Sequence, residues 1–520
     1  MTTFKKNSFF KKRILYFWGS ILVVFLLLNS CGKNLDPTFI PTDANLVLAL
    51  DFNNLSSKAA GWQEILNYAF DKSQSSKTDI IDLLTHSGIN LGKNAYIFGK
   101  ITPETSQNYF ALSLELNDEK QFMSSLRKNT PNRPVTQEGE MNFMIQDKLL
   151  IGWNKQRALI LSQDLSAEAL KNRFREIFST GGSQSLEQNN TEFYHLLNKK
   201  FDMALWMDFG QMSDLRSKAM DNLWGGNSDV LQELSRLTES TSATIHFENG
   251  KIVSNFSTHT NEALWNKFKN IFREDGINQS LLKNIPIKSP TLLLALGVGT
   301  QGIREIMEEA QLLNDMKKFS RVFNTSPEKV FDLFTGDMVV AFDEIHLKED
   351  LNPYYEVIMG IGIKNRPDFD KLLDQIDGFF IKKKGDYYLL KNNNQTYYMI
   401  EQDNFMYFCN TGSLRDKLLK GSVQLDKKLV QSVEDHSSLF SIDFNRIGSV
   451  ISPKLLEGIG YSSISQVWLP ALESLEVYAA PYSKGVSEGK LEINLKDKSR
   501  NALVILLELI KKTSESQKSV

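Results

Sequence analysis

The sequence predicts an α+β fold made of two tandem, similar halves, each a mainly antiparallel sheet with helices packed on one face. First, strand-like runs occur mostly in adjacent pairs with short turns, whereas a parallel sheet would alternate strands with helices. Second, Leu46–Leu50 and Leu292–Leu296 are continuous apolar runs, which predict central strands buried on both faces. Third, ordered similarities recur at an offset of about 240 residues, which indicates a tandem duplication.

The opening of the first half is repeated at the opening of the second. Ile40-Pro41 precedes the first apolar run, and Ile285-Pro286 precedes the second. A helical pattern, Gly-x-x-Glu-Ile followed by Leu or Met, comes next at Gly61–Leu66 and Gly302–Met307. Further matching pairs are two glycine-led strands, two strands headed by aromatic residues and two helical Phe residues: Gly92–Phe98 with Gly336–Phe342, Asn108–Phe110 with Pro353–Tyr355, and Phe122 with Phe369.

The central part of each half is also strand-rich. Ala111–Leu116 alternates apolar and polar residues, which predicts a strand with one face in water. Gly139–Leu161 and Gly385–Tyr407 each predict two strands joined by a turn. Both halves then return to a strand that ends in Asp-Phe, at Asp208 and Asp443.

Each half closes on a hairpin and a helix. The first hairpin turn is predicted at Glu248–Lys251, because Asn-Gly favours the positive φ angles of a two-residue turn. Its counterpart is predicted at Ser487–Lys490. The closing helices are predicted at Ala263–Phe272 and Ala502–Lys511, and a frayed polar tail at Thr513–Val520.

The N-terminus predicts a bacterial secretory signal that ends in a lipobox. Basic residues precede the apolar run Ile14–Leu28, which is shorter than the roughly 20 residues of a membrane span. Leu28, Asn29 and Ser30 then lead to Cys31, which we expect to be acylated after cleavage. An uncleaved anchor helix is the alternative.

These patterns predict five segments along the chain. They are a signal peptide at 1–30, a lipidated Cys with a short tether at 31–39, repeats at 40–280 and 281–512, and a polar tail at 513–520. About eight tether residues reach at most about 28 Å when extended, so we expect the folded body to lie close to the membrane.

Composition excludes some partners and covalent links. The formal net charge is −2, which gives no basic excess for a nucleic-acid partner. The chain has two cysteines, and with Cys31 lipidated there is no disulfide framework. Cys409 lies in an apolar strand-like run, so we predict a buried, inert thiol.

No cofactor or metal is predicted. Gly297–Gly302 fits a dinucleotide-type glycine pattern, but the next strand comes late and no acidic residue ends a strand about 20 positions on. We therefore interpret it as an ordinary strand-to-helix turn. None of the six His residues falls at metal-ligand spacing, and no serine-nucleophile elbow is present. These observations do not favour an enzyme.

Four side chains are weak candidates for a cleft between the halves. Asp208 and Asp443 occupy matching places and could form paired carboxylates, although each could instead end a strand and cap a turn. Trp224 and Trp468 are candidates for exposed contacts. Trp62 and Trp265 lie at helical spacing from apolar residues and are predicted in the core. The sequence predicts no catalytic residue.

The lipobox, the short tether, the duplicated body and the Ile-Pro-x-x-Ala opening (Ile40, Pro41, Ala44) resemble a family of uncharacterised envelope lipoproteins of Bacteroidota with a domain of unknown function. The resemblance covers about residues 31–512. It implies an outer-membrane address and brings no catalytic residues.

We therefore expect a lipid-anchored envelope protein, carrying palmitate-type chains, with a non-enzymatic binding or assembly role. Its predicted partners are the membrane, through its lipid, and an envelope protein or apolar ligand. Ligands often bind at domain interfaces, so the cleft between the halves is the expected place. The alternatives are a carrier of a lipid or other apolar ligand, and a hydrolase with a site in that cleft.

Overall fold

The computed structural model describes residues 39–59, 87–104, 107–130, 133–146, 148–210, 212, 236–309, 326–347, 353–377, 381–392, 395–448 and 467–518. The lipobox with Cys31, the helical pattern at Gly61–Leu66, and the side chains of Trp62 and Trp224 lie outside the described residues. Within the described residues the fold is mixed α/β, dominated by a large antiparallel sheet with helices.

The strands are β1 Leu46–Leu50, β2 Ala95–Lys100, β3 Tyr109–Glu115, β4 Thr136–Glu138, β5 Met141–Gln146, β6 Leu149–Trp153, β7 Arg157–Gln163, β8 Met203–Asp208, β9 Thr238–Glu248, β10 Lys251–Thr260, β11 Leu292–Gly297, β12 Phe334–Leu347, β13 Pro353–Ile363, β14 Ile381–Lys384, β15 Tyr387–Asn392, β16 Gln395–Gln402, β17 Phe405–Cys409, β18 Ser438–Asp443, β19 Leu472–Ala479 and β20 Val486–Leu495.

The helices are α1 Phe52–Lys58, α2 Glu119–Asn129, α3 Ala167–Phe178, α4 Leu186–Asn189, α5 Thr191–Leu197, α6 Glu262–Phe268, α7 Gln279–Lys283, α8 Thr300–Glu309, α9 Pro327–Phe331, α10 Arg366–Ile376, α11 Gly412–Lys420, α12 Lys427–Gln431, α13 Phe444–Gly448 and α14 Ala502–Lys518. Short 3₁₀ turns lie at Gly182–Gln184 and Lys269–Ile271. Among the described helices, none combines the length and apolar character needed to cross a bilayer.

The described residues divide into two compact units. Unit 1 lies within Met1–Leu215, Thr241–Ile252 and Asp497–Val520, and unit 2 lies within Arg216–Ser240 and Val253–Lys496. The closing helix α14 therefore belongs to unit 1, whereas α6 belongs to unit 2. The limits of the two repeats stay a prediction from sequence.

The sheet strands of unit 1 run in the order β4-β5-β6-β7-β3-β2-β1-β8, and every neighbouring pair is antiparallel. In unit 2 the order is β14-β15-β16-β17-β13-β12-β11-β18-β19-β20, again antiparallel throughout. The first eight strands of unit 2 repeat the order of unit 1 position by position. As predicted, β1 and β11 are central strands with a partner on each side.

Each strand-rich middle segment holds three strands, and the prediction of two was wrong. The extra reversals use turn chemistry without glycine. In the first segment the Asn154 side chain accepts from the backbone N–H groups of Gln156 and Arg157, at 2.9 Å each. In the second, Asp403 adopts a left-handed φ of 54° between β16 and β17.

Helices cover both faces of each sheet, so the predicted single helical face was also wrong. In unit 1, Phe174 of α3 packs on Phe143, while Phe122 of α2 packs on Trp153 from the opposite face. In unit 2 the two faces are covered by α11 and α10. The physical reason is that strands such as β6, Leu149–Trp153, carry apolar side chains on both sides, and both must leave water.

The burial of two strands also differs from the prediction. Ser113 of β3 is fully buried, so the face expected to be wet is covered. In β11, Leu293 and Ala295 are buried, but the alternate Leu292, Leu294 and Leu296 are only partly so. A continuous apolar run therefore identified a central strand without fixing equal burial of its two faces.

The two predicted hairpins have different outcomes. A turn does join β9 to β10, although only Gly250, and not Asn249, has positive φ (66°). The predicted turn at Ser487–Lys490 is wrong, because these residues lie inside β20. Gly489 is required there because a Cβ would meet the Phe256 ring at 2.2 Å. The reversal occurs at Lys484 and Gly485, with φ of 51° and 79°.

The C-terminal tail predicted to fray from residue 513 is helical as far as Lys518. Leu503, Ile505, Leu507 and Leu509 of α14 are buried, which anchors the helix in unit 1.

Candidate functional site

The matching aspartates each cap a turn at a strand end. Asp208 Oδ1 accepts from the Gly210 N–H at 2.8 Å, and Asp443 Oδ1 accepts from the Asn445 N–H at 2.9 Å. Asp208 lies in unit 1 and Asp443 in unit 2. Capping accounts for the residue type at both places, and a role in a cleft stays a prediction.

Of the other residues considered in the sequence, Trp468 and Cys409 lie in the described part of the chain. Trp468 is half-buried, and its carbonyl accepts from the Ala471 N–H at 2.9 Å. Cys409 is buried and its Sγ faces the Thr411 carbonyl at 3.7 Å. Burial raises the pKa of the Cys409 thiol to about 12, so it stays protonated at neutral pH, as expected of an inert thiol.

A cavity with a volume of about 1120 Å³ lies in unit 2. Its walls come from α6 and the segment after it, the β11–α8 turn, the loop before β18 and the β19–β20 turn. The lining residues are Trp265, Lys269, Asn270, Phe272, Arg273, Glu274, Asp275, Gly276, Gly299, Gln301, Asp435, Pro481, Tyr482, Ser483 and Lys484.

One wall of this cavity is aromatic. Trp265 stacks on Phe272 with ring centroids 5.3 Å apart, and Tyr482 lies 4.3 Å from Phe272. All three rings are half-buried, so the prediction that Trp265 lies in the core was wrong. At the β19–β20 turn, a Cβ at Gly485 would meet Thr260 Oγ1 at 2.7 Å, whereas Trp265 would lie at an ordinary contact distance of 3.8 Å. Burial raises the pKa of Tyr482 above its usual value.

The floor of the cavity is held by Arg273. Its Nε and Nη2 donate to the two carboxylate oxygens of Asp275, at 2.8 and 2.6 Å, and its Nη1 donates to Asp337 Oδ1 at 2.9 Å. Hydrogen bonding to Asp275 raises the pKa of Arg273, and the same contact lowers that of Asp275. Asp337 is 3% exposed and also accepts from the Asn278 N–H and from Thr335 Oγ1. The charges on this floor are therefore already satisfied by one another.

The glycine-rich turn predicted as an ordinary strand-to-helix turn forms part of this wall. Gly299 donates its N–H to the Ile271 carbonyl at 2.7 Å. A Cβ at Gly299 would lie 1.9 Å from the Asn270 carbonyl oxygen, and one at Gly302 would lie 2.2 Å from the Ile271 nitrogen. The glycines therefore admit this chain's own backbone at the place where a dinucleotide loop would admit phosphate.

Four charged side chains remain open to ligands. Within the part of the chain that the structure describes, Lys269, Glu274, Asp435 and Lys484 make no side-chain hydrogen bond or ion pair. Asp435 and Lys484 also have left-handed φ angles of 61° and 51°. The described chain has one other such non-glycine residue, Asp403. Sequence reasoning missed this site because its residues come from separate segments and form no local motif.

No group of three or more His, Cys, Asp or Glu side chains in the described residues is placed to hold a metal ion.

One known protein family matches most of the chain. The family described as "Domain of unknown function (DUF4836)" matches residues 38–503. The chain belongs to the DUF4836 family. This DUF4836 domain includes unit 2, most of the described part of unit 1 and the whole cavity wall. No curated protein matches the chain.

Some solved structures resemble the DUF4836 domain weakly. Crystal forms I, IV and III of TP0453 match at 11, 9 and 10% identity, with TM-scores of 0.28, 0.29 and 0.29. They cover 44, 44 and 46% of this chain and 80, 81 and 87% of their own chains.

Proposed function

We propose that this DUF4836 protein is a lipid-anchored component of the bacterial cell envelope, at the outer membrane, with a non-enzymatic binding role. The lipobox carries the proposal: an apolar run of signal-peptide length is followed by Leu28-Asn29-Ser30-Cys31. Several acyl chains on Cys31 would give the stable anchoring that one chain cannot give.

The start of the folded body supports a short tether. Phe39 is buried, its ring lies edge-on to Tyr96 at 5.7 Å, and the Arg157 guanidinium lies 4.6 Å from it. The described part of the folded body therefore starts about eight residues after Cys31. Unit 1 would then lie within about 28 Å of the lipid.

The binding role is supported by the cavity of unit 2. The charged side chains of its floor, Arg273, Asp275 and Asp337, are already paired with one another, whereas its four open charged side chains and its aromatic wall are available to a ligand. Sites of this kind, with an apolar wall and a few polar groups, are typical of ligand pockets.

We also infer that the two halves arose by duplication. The shared order of eight strands supports this, and so do matching backbone hydrogen bonds at the ends of β8 and β18. Asp208 donates its N–H to the Asn45 carbonyl at 2.9 Å, and Asp443 donates to the Thr291 carbonyl at 3.0 Å.

The anchor is tested by metabolic labelling with an alkyne-bearing palmitate in a bacterial host. We expect the wild-type chain to be labelled and to sediment with membranes. Cys31→Ser should lose the label and keep its signal peptide, which intact mass measures directly. Cys409→Ser is the matched control and should be labelled like the wild type. Equal labelling of Cys31→Ser would overturn the proposal.

A further inference from the structure

We propose that the cavity of unit 2 binds a neutral oligosaccharide, an inference that names the ligand class of the proposed binding function and rests on it. Three features of the cavity wall support this ligand: its charge balance, its aromatic side chains and its volume.

The open charges balance in sign. Lys269 and Lys484 are cations, Glu274 and Asp435 are anions, and none has a side-chain partner among the described residues. A charged ligand would be attracted by one pair and repelled by the other. A sugar hydroxyl both donates and accepts hydrogen bonds, so a neutral polyol can bond to the ammonium and the carboxylate groups alike.

The aromatic wall supplies the apolar part of the contact. Trp265, Phe272 and Tyr482 form one cluster of half-buried rings beside these charges. Sugar rings carry C–H groups as well as hydroxyls, and those C–H groups pack well against large, flat aromatic side chains. Aromatic side chains also provide large contact area at low cost in side-chain entropy.

The volume indicates several sugar units. About 1120 Å³ exceeds the roughly 300–1000 Å³ of typical small-molecule sites. An oligosaccharide could fill this space, whereas one monosaccharide would leave most of it to water.

The test is calorimetric titration of the full-length chain in detergent with neutral hexasaccharides of glucose, mannose and xylose. Hexagalacturonate serves as the anionic probe and a zwitterionic hexapeptide as the peptide probe. We expect at least one neutral hexasaccharide to bind, with an affinity that is insensitive to salt because no ion pair with the ligand is screened.

The variants are chosen so that the fold survives. Asp435→Asn and Lys484→Asn keep a residue that tolerates left-handed φ, and we expect each to weaken binding at least tenfold. Tyr482→Leu should weaken it as well. Asp403→Asn is the matched control, since Asp403 is also left-handed but does not line the cavity, and its affinity should equal that of the wild type.

Several outcomes would overturn the inference. They are no binding of any neutral hexasaccharide, stronger binding of the anionic or peptide probe, and unchanged affinity in both cavity variants. An acylated chain that binds no neutral sugar contradicts this inference and leaves the anchor standing. A chain that binds sugar without acylation contradicts the anchor. Cleavage of the bound sugar, seen by chromatography, contradicts the non-enzymatic role.

Discussion

Units 1 and 2 have the same order of eight strands but differ at the turn that follows the central strand. In unit 1, Asp51 follows β1 and caps α1, with its Oδ1 accepting from the Asn54 N–H at 3.0 Å. In unit 2, Gly299 follows β11 and admits the backbone of Asn270. In unit 1 the turn is therefore stabilised by a side-chain cap. In unit 2 the missing side chain of Gly299 lets a neighbouring segment, which forms part of the cavity wall, pack against the turn.

The units also differ in how each holds a buried aspartate. In unit 1, Asp202 is 1% exposed and accepts from Lys58 Nζ at 2.5 Å and from the Phe247 N–H at 2.6 Å. In unit 2, Asp337 is held by the planar fork of Arg273, which also grips Asp275 at the cavity. The two units therefore share their strand order and differ in the segments between strands, and those segments form the cavity of unit 2.

The largest loss of stability is expected from replacing Arg273, the cation that pairs with buried Asp337 in unit 2. Arg273→Met would leave Asp337 buried without its ion pair, and loss of one partner of a buried pair costs about 3–5 kcal/mol in the free energy of unfolding. Lys58→Met should cost less, because Lys58 is 29% exposed against 15% for Arg273, so water replaces it more easily. Urea unfolding followed by circular dichroism measures both.

A double variant tests whether the unpaired charge of Asp337 causes the loss of stability. Arg273→Met with Asp337→Leu should recover much of the lost stability, because no unpaired charge remains. Equal losses for Arg273→Met and Lys58→Met would contradict the difference between the units.

A smaller effect is expected at the glycine turn. Gly299→Ala would place a Cβ 1.9 Å from the Asn270 carbonyl oxygen, so the backbone must shift at a cost of about 1–3 kcal/mol. Gly297→Ala is the control in the same motif, since its nearest contact would be an ordinary 3.6 Å. Thermal unfolding should separate the two, and equal melting temperatures would show that the close approach is unimportant.

The smallest change in stability is expected at Asp51, in the turn that follows β1 of unit 1. Burial raises the pKa of Asp51, so the folded state resists its ionisation. The unfolding free energy attributable to this group is therefore higher below pH 3.8 and falls as the pH rises through the raised pKa. Asn caps helices as well as Asp.

Asp51→Asn should therefore equal or slightly exceed the wild type in stability at neutral pH. Its advantage should disappear in acid, where both side chains are neutral. Melting temperatures of the two proteins across pH 3 to 7 measure the difference. A wild type that is more stable than Asp51→Asn at neutral pH would contradict the sign.

Local patterns predicted much of the fold and little of the site. β1 and β11, the segments of α2 and α10, and the Gly250 turn follow from apolar runs, amphipathic spacing and turn chemistry. The extra strands β6 and β16 were missed because Asn154 and Asp403 make turns without glycine. Trp265 was assigned to the core because its helical spacing cannot show which face a distant segment covers.

The sequence by itself determined the antiparallel architecture and the central strands, and it is the sole basis of the proposed export signal that ends at Cys31, since these depend on residues close together in the chain. Only the tertiary structure decided that helices cover both sheet faces, and that Trp265, Asp435 and Lys484 line one cavity. The physical reason is that the cavity is made by contacts between segments up to about 220 residues apart. No local pattern of apolar or charged residues encodes which of those segments meet.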